Sequence, residues 1–213
     1  SSDLKMEKGE EGMHVIKIGF TRFINALKNI RQFGDLFLFL LAFFVYSNGI
    51  GTIITMAVAY GTDLGFSTNI LLLTLLIVQF VGAPFAILFG KISKKLGTKR
   101  SFYLSLLVYT LIAILGFFMT EEWHFLLLGF GVATVQGGSQ ALSRSLMGLL
   151  MPKSKSAEFY GFFSVSEKFN TVIGPLLFSV INQLTGNSRM AIISLVIFFL
   201  LGIAILSRVD IER

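Results

Sequence analysis

"GKISKKLGTKR", residues 90–100, places five cations within eleven residues, and the chain turns apolar on both sides of it. Residues 67–90 precede it and 101–119 follow it, each near the roughly 20 residues that a helix needs to cross about 30 Å of hydrocarbon. Two apolar rods joined by a short cationic link predict a membrane hairpin. The same pattern continues outward through 36–60, 123–150, 158–184 and 189–207. The breaks between runs are short and polar: GTDLGFSTN, TEEWH, MPKSKSAE and TGNSR. The expected fold is therefore an all-α membrane protein with six transmembrane helices over 35–207.

Composition agrees. The 213 residues are 54 % hydrophobic and 14 % charged, against about 25 % charged in ordinary soluble domains. Mean hydropathy is +0.78. So few charges cannot cover a water-facing surface, so the outer surface is expected to meet lipid. The sequence has no cysteine, which excludes disulfides, thiolate metal sites and thiol nucleophiles. His14 and His124 lie in separate polar segments, so neither a metal nor another cofactor is expected. The net charge of +6 follows the connections between spans, so no nucleic-acid partner is expected.

Orientation is read from where the cations fall. Lys5, Lys8, Lys17, Arg22, Lys28 and Arg31 precede the first span, Lys91 to Arg100 fill the second connection, and Lys153 and Lys155 lie in the fourth. The other three connections hold only Arg189, against Asp63, Glu121 and Glu122. Both termini are expected in the cytoplasm, with 208–213 as a cytoplasmic tail. The opening SSDLKMEKGEEG lacks the apolar core of a secretory signal. Residues 1–34 read as a cytoplasmic linker. Within it, 13–33 place Ile16, Phe20, Phe23, Leu27 and Ile30 at helical spacing, an amphipathic helix suited to headgroups or to the ends of the spans.

Polar residues inside lipid are costly, about 2.5–3.5 kcal/mol for a charge at a helix centre, and usually face a bundle interior or a cavity. Gln136, Gln140 and Arg144 recur every four residues, so one helix face carries all three. Ser164, Glu167, Asn170, Thr171 and Gly174 share a side of the fifth span, with Lys168 at its edge. The first span adds Tyr46, Ser47, Asn48, Thr52 and Thr55, and the second adds Gln79. A polar-lined pathway through Tyr46, Asn48, Gln136, Gln140, Glu167 and Asn170 is the economical reading. Interhelical hydrogen bonding is the alternative for Gln79, Asn170 and Thr52. A salt bridge to Glu158 is the alternative for Arg144. Opposite the stripe, Gly129, Ala133, Gly137, Ala141 and Ser145 form a small-residue ridge, and Gly82, Ala86 and Gly90 form another. Both permit close helix approach.

Gly90, Lys95, Gly97, Lys99 and Arg100 resemble the signature loop of the major facilitator superfamily, with Lys94 where that family has Asp. Gln136-Gly137 resembles its Arg-x-x-Gln-Gly motif, with Ala133 at the Arg position, and Gly174-Pro175 resembles its Gly-Pro motif. The runs QGGSQALSRSLMGLLMPKSKSAEFYGFFSV and GPLLFSVINQLTGNSR look most like the vacuole-effluxer-like branch, related to fungal amino-acid effluxers. The resemblance implies a C-terminal six-helix half built from three-plus-three inverted repeats, in a multi-pass protein of the bacterial plasma membrane. It implies secondary transport of a small polar solute, an amino acid or peptide, by alternating access. Glu167 is then expected to carry a coupling proton, because burial raises a carboxylate's affinity for one. Gly90, Lys94, Lys95, Gly97, Lys99, Arg100 and Arg144 would form a cytoplasmic gate, and Gly174 and Pro175 a bending point. The expected partners are the bilayer, the solute and either an N-terminal half or a second copy. Two other readings compete: a non-transporting scaffold or receptor of this fold, and a membrane serine enzyme using Ser164 and Lys168.

Overall fold

Six runs of apolar residues, separated by breaks too short to do more than turn the chain, fold as six antiparallel helices. The computed structural model describes residues 34–152 and 156–210, except the side chains of residues 157, 158, 162 and 170. The amphipathic helix expected over 13–33, most of the 1–34 linker and residues 211–213 of the tail lie outside the described residues. The helices are α1 (Gly34–Asp63), α2 (Thr68–Leu96), α3 (Thr98–Phe117), α4 (Glu122–Leu150), α5 (Ser156–Thr185) and α6 (Ser188–Leu206). Among the described residues there is no strand. Five of these helices have the length and composition to cross a membrane. The sixth, α5, is 30 residues long, and its polar residues lower its hydropathy.

The predicted spans recur with one boundary moved substantially. The second was expected to end at 90, whereas α2 runs to Leu96 and takes in half of the basic stretch. Its end is set by Gly97, whose φ of 84° lies in the left-handed region that side chains disfavour. Gly90, the other glycine of that stretch, meets nothing within 4 Å of an added Cβ.

Packing reveals a symmetry that the residues conceal. The most extensive contact of α2 is with α4, and α5 correspondingly lies against α1. Likewise α1 packs on α6 as α4 packs on α3, and α3 packs on α6. Exchanging α1–α3 for α4–α6 returns the same pattern. Because three helices separate the starts of α1 and α4, the two units begin at opposite ends of the bundle. This is a three-plus-three inverted repeat. Pro84 and Pro175 lie inside the matching helices α2 and α5, each beside a glycine in "VGAP" and "IGP".

The core lies between α1, α3, α4 and α6. Tyr46 meets Phe43 and Phe102 edge-on, and Tyr109 stacks on Phe199. Phe43 stacks on Phe163 with ring centres 4.1 Å apart, fastening α5 to α1. The small-residue ridges meet over part of their length, with Gly90, Ala141 and Ser145 exposed: an added Cβ on Gly137 would stand 3.4 Å from the Gly82 carbonyl oxygen and collide with Ala86. A Cβ on Gly129 would collide with Thr74, and one on Gly138 with Phe89. Thus α4 and α2 pack at nearly backbone distance.

The two ends of the bundle differ in charge. At one end Asp35 Oδ1 accepts from the Asp210 amide at 3.0 Å, and Lys99 donates to the Val209 carbonyl at 2.5 Å and the Ser207 carbonyl at 3.5 Å. Lys91, Lys94, Lys95 and Arg100 are exposed beside them. At the other end the Ser67 amide donates to Glu122 at 2.7 Å, Asn182 reaches Asp63 at 3.4 Å, and Arg189 donates to the Phe117 carbonyl at 2.6 Å. Lys99 therefore faces the end of α6 within the same half. Its cation satisfies carbonyls left over at a helix C-terminus. Replacing Lys99 with Met is expected to cost about 1 kcal/mol. The thermal midpoint of the whole protein in detergent reads this, and an unchanged midpoint would contradict the capping role.

Candidate functional site

An α-helix rises 1.5 Å per residue, so the stripe on α4 extends about 12 Å from Gln136 to Arg144. The structure turns this stripe outward. Gln136 is half-buried, while Gln140 and Arg144 are exposed. The side of α4 turned away from the stripe carries Val135, Leu142 and Leu146 into the core, with Ser139 and Ser143 buried at its margin. A hydrophobic helix keeps the polar stripe because only its other face is needed for packing.

At one end of the stripe, Gln136 joins Gln79 at an otherwise mostly apolar pocket of about 100 Å³. Tyr60, Ile53, Val78 and Ile112 are among its walls, which come from α1, α2, α3, α4 and α6. Tyr60 donates its hydroxyl proton to the Gly116 carbonyl at 2.6 Å and Thr74 to the Ile70 carbonyl at 2.8 Å, so the pocket's other two polar side chains are already engaged. At the other end, Arg144 Nη2 lies 3.9 Å from Glu167 Oε1. Arg144 is 64 % exposed and Glu167 39 %, so the pair is open to whatever fills the space beside the bundle. Lys168, Ser164 and Thr171 are exposed nearby along α5. The stripe thus connects α2, through Gln79, with α5, through Glu167.

Several expected residues stand elsewhere. Tyr46 and Asn48 lie inside the bundle, each 1 % exposed. Their helix is apolar overall, and the polar side chains it does carry bond back onto the previous turn. Asn48 donates to the Phe44 carbonyl at 2.6 Å, Thr52 to the Asn48 carbonyl at 2.6 Å and Thr55 to the Gly51 carbonyl at 2.8 Å. Ser47 donates to the Phe43 carbonyl. Tyr46 Oη lies 2.9 Å from Ser143 Oγ, which itself donates to the Ser139 carbonyl at 2.7 Å. Ser143 has one proton to give, so Tyr46 is the donor. Tyr46 anchors α1 to the residue next to Arg144, supporting the ion pair from behind. Tyr46→Phe is expected to lower stability by about 1 kcal/mol, with loss of that bond. A thermal midpoint equal to the wild type would contradict this.

Among the described side chains Arg144 meets Glu167; the Glu158 pairing considered from sequence is not described. The side chains of Glu158 and Asn170 lie outside the described residues. Gly174 is buried against α1, where Asn48 and Thr52 leave no room for a Cβ. In the loop stretch, Lys91, Lys94, Lys95 and Arg100 project outward while Lys99 turns to α6. Ser164 and Lys168 are both exposed, and among the described residues no hydrogen bond joins them. Gln79, for which the sequence offered either a place among the polar groups or an interhelical hydrogen bond, lines the same pocket as Gln136. Its signal was a lone amide in an otherwise apolar span. Among the described residues no cluster of His, Asp and Glu could hold a metal ion.

Comparison with known proteins adds a family. The description "vacuole effluxer Atg22 like" matches residues 2–213. The uncharacterized MFS-type transporter YxiO of Bacillus subtilis is 44 % identical over 199 residues, covering 93 % of this chain and 46 % of that protein. Autophagy-related protein 22 of Yarrowia lipolytica is 31 % identical over 218 residues, covering 95 % of this chain and 36 % of that protein. The same-named protein of Kluyveromyces lactis is 28 % identical over 210 residues, covering 93 % and 43 % respectively. The chain therefore spans less than half the length of these relatives.

Proposed function

The chain belongs to the vacuole effluxer Atg22-like family, and from that premise we propose that it works as one six-helix half of a secondary transporter. A second six-helix unit, on the same polypeptide or supplied by another copy, covers the open face. A small polar solute, an amino acid or short peptide, crosses between the halves by alternating access. The observation that carries this reading is the outward stripe Gln136–Gln140–Arg144 meeting Glu167 across α4 and α5. Charges within a span are expensive beside lipid and useful beside water. The inverted repeat supports the same reading, since it provides two related three-helix units able to rock against a common site.

Glu167 is the proton carrier in this account, and Gln136 and Gln140 offer neutral hydrogen bonds along the path. Tyr46 and Asn48 hold α1 in place rather than line the path. The charge difference between the two ends of the bundle supports a cytoplasmic location for both termini. The bacterial relative supports residence in a plasma membrane. The domain assignment follows: a cytoplasmic linker to residue 34, the membrane half over 35–207, and a short cytoplasmic tail.

The test is flux. The whole protein, reconstituted in liposomes, should give saturable uptake of labelled amino acids or dipeptides under an imposed pH gradient. Flux equal to that of empty liposomes across both panels would contradict the reading.

A further inference from the structure

We infer that Arg144 is the docking group for a carboxylate on the solute, and that this carboxylate and Glu167 exchange places on it. The inference rests on the carrier reading above and adds how solute and proton are linked.

The geometry begins with an incomplete pair. Arg144 and Glu167 approach through one contact of 3.9 Å. A filled arginine fork makes two parallel hydrogen bonds near 2.8 Å with a carboxylate. The guanidinium thus retains free donors, and its 64 % exposure leaves them accessible from the open face. Charge is incomplete as well. Lys168 is the next residue on α5 and is exposed, so among the described side chains two cations stand near one carboxylate.

Among the described side chains, neighbouring elements do not supply the missing negative charge: the charged residues of α2 are Lys91, Lys94 and Lys95, and those of α3 are Lys99 and Arg100. On α1, charged residues occur only at the ends, Asp35 and Asp63, and the neutral Tyr46 hydroxyl is held by Ser143, the residue before Arg144. On α6 the sole charged residue is Arg189, in its first turn. On α4, Glu122 and His124 sit at the far end. The site accepts one additional anion. A planar group with two oxygens matches the guanidinium fork best, so a carboxylate is the fitting chemistry.

The exchange then couples two species. A solute carboxylate that fills the fork displaces Glu167. Displaced from Arg144, Glu167 loses the cation that favours its charged form, so it takes up a proton from the side then open to water. When the solute leaves, Glu167 releases the proton and returns to Arg144. No covalent bond changes, and each solute anion travels with one proton.

The experiment uses the whole protein in detergent, with the twenty free amino acids and their matching carboxamides as probes. Thermal shifts identify binders, and a pH indicator in weak buffer reads protons taken up on binding. The expected result is at least about tenfold weaker binding of each amide. About one proton should be taken up per carboxylate bound. Glu167→Gln should bind the free acids several-fold more tightly, because the internal competitor is gone, and should take up no proton. Arg144→Gln should erase the preference for acids over amides, and Arg144→Lys should retain part of it. Equal binding of acids and amides by the wild type, or undiminished proton uptake by Glu167→Gln, would overturn the exchange. If labelled solute still crossed liposomes, the carrier reading would stand. No binding and no flux for any probe would overturn both.

Discussion

Gly174→Ala should destabilise the protein by about 3 kcal/mol and remove most solute flux, a large effect for one methyl group. The added carbon would overlap Thr52 Oγ1 and stand 2.6 Å from the Asn48 carbonyl oxygen. That carbonyl already accepts the Thr52 hydroxyl at 2.6 Å. The side-chain overlap can be relieved, but the carbonyl belongs to the backbone of α1 and cannot yield without moving the helix. Adding Thr52→Ala should therefore restore only part of the loss. Gly161→Ala, on the same helix with nothing within 4 Å, serves as the control. It should be neutral or stabilising by up to about 1 kcal/mol, the helix preference of Ala over Gly. Thermal midpoints in detergent and flux in liposomes check all three. A Gly174→Ala protein as stable as the wild type would refute the close α1–α5 contact.

Glu167→Gln should abolish accumulation driven by a pH gradient while leaving exchange down the solute's own gradient. Each pH unit across the membrane supplies about 1.4 kcal/mol per proton, a factor of about 10 in accumulation. With two units imposed, acid on the side of entry, accumulation should fall by about 100-fold on substitution. Counterflow of preloaded solute separates loss of coupling from loss of the protein. Flux that survives with unchanged pH dependence would refute the proton-carrier role.

The spans were legible because length and hydropathy alone determine them, and the six helices follow the six apolar runs. The end of α2 was less so. Lys91, Lys94 and Lys95 read as loop by charge, yet a helix can project beyond lipid and carry cations into water. The inverted repeat was not visible in the residues, because packing conserves spacing and size rather than identity. Only the Gly-Pro pairs at 82–84 and 174–175 mark it. Within the site, periodicity correctly placed Gln136, Gln140 and Arg144 on one face, since a single helix determines that relation. It could not say whether Tyr46 and Asn48 pointed toward that face. Their orientation depends on Gly49 and Gly202, which let α6 close over α1: a Cβ on Gly202 would stand 2.8 Å from Tyr46 Cβ. Contacts between distant helices, such as Arg144 with Glu167, have no signal in local spacing.

Because the chain contains no cysteine, water along the stripe can be probed one residue at a time. Cysteine is placed singly at Gln140 on the stripe, and at Leu107 and Leu200 on the exposed sides of α3 and α6, in a whole protein cleared of other thiols. A charged, membrane-impermeant thiol reagent is applied to native membranes and its rate of reaction followed. Thiol attack needs a hydrated thiolate, so position 140 should react at least about tenfold faster than 107 and 200. Equal, slow reaction at all three positions would mean that the stripe meets no water, and the account of a solute path along α4 and α5 would be wrong.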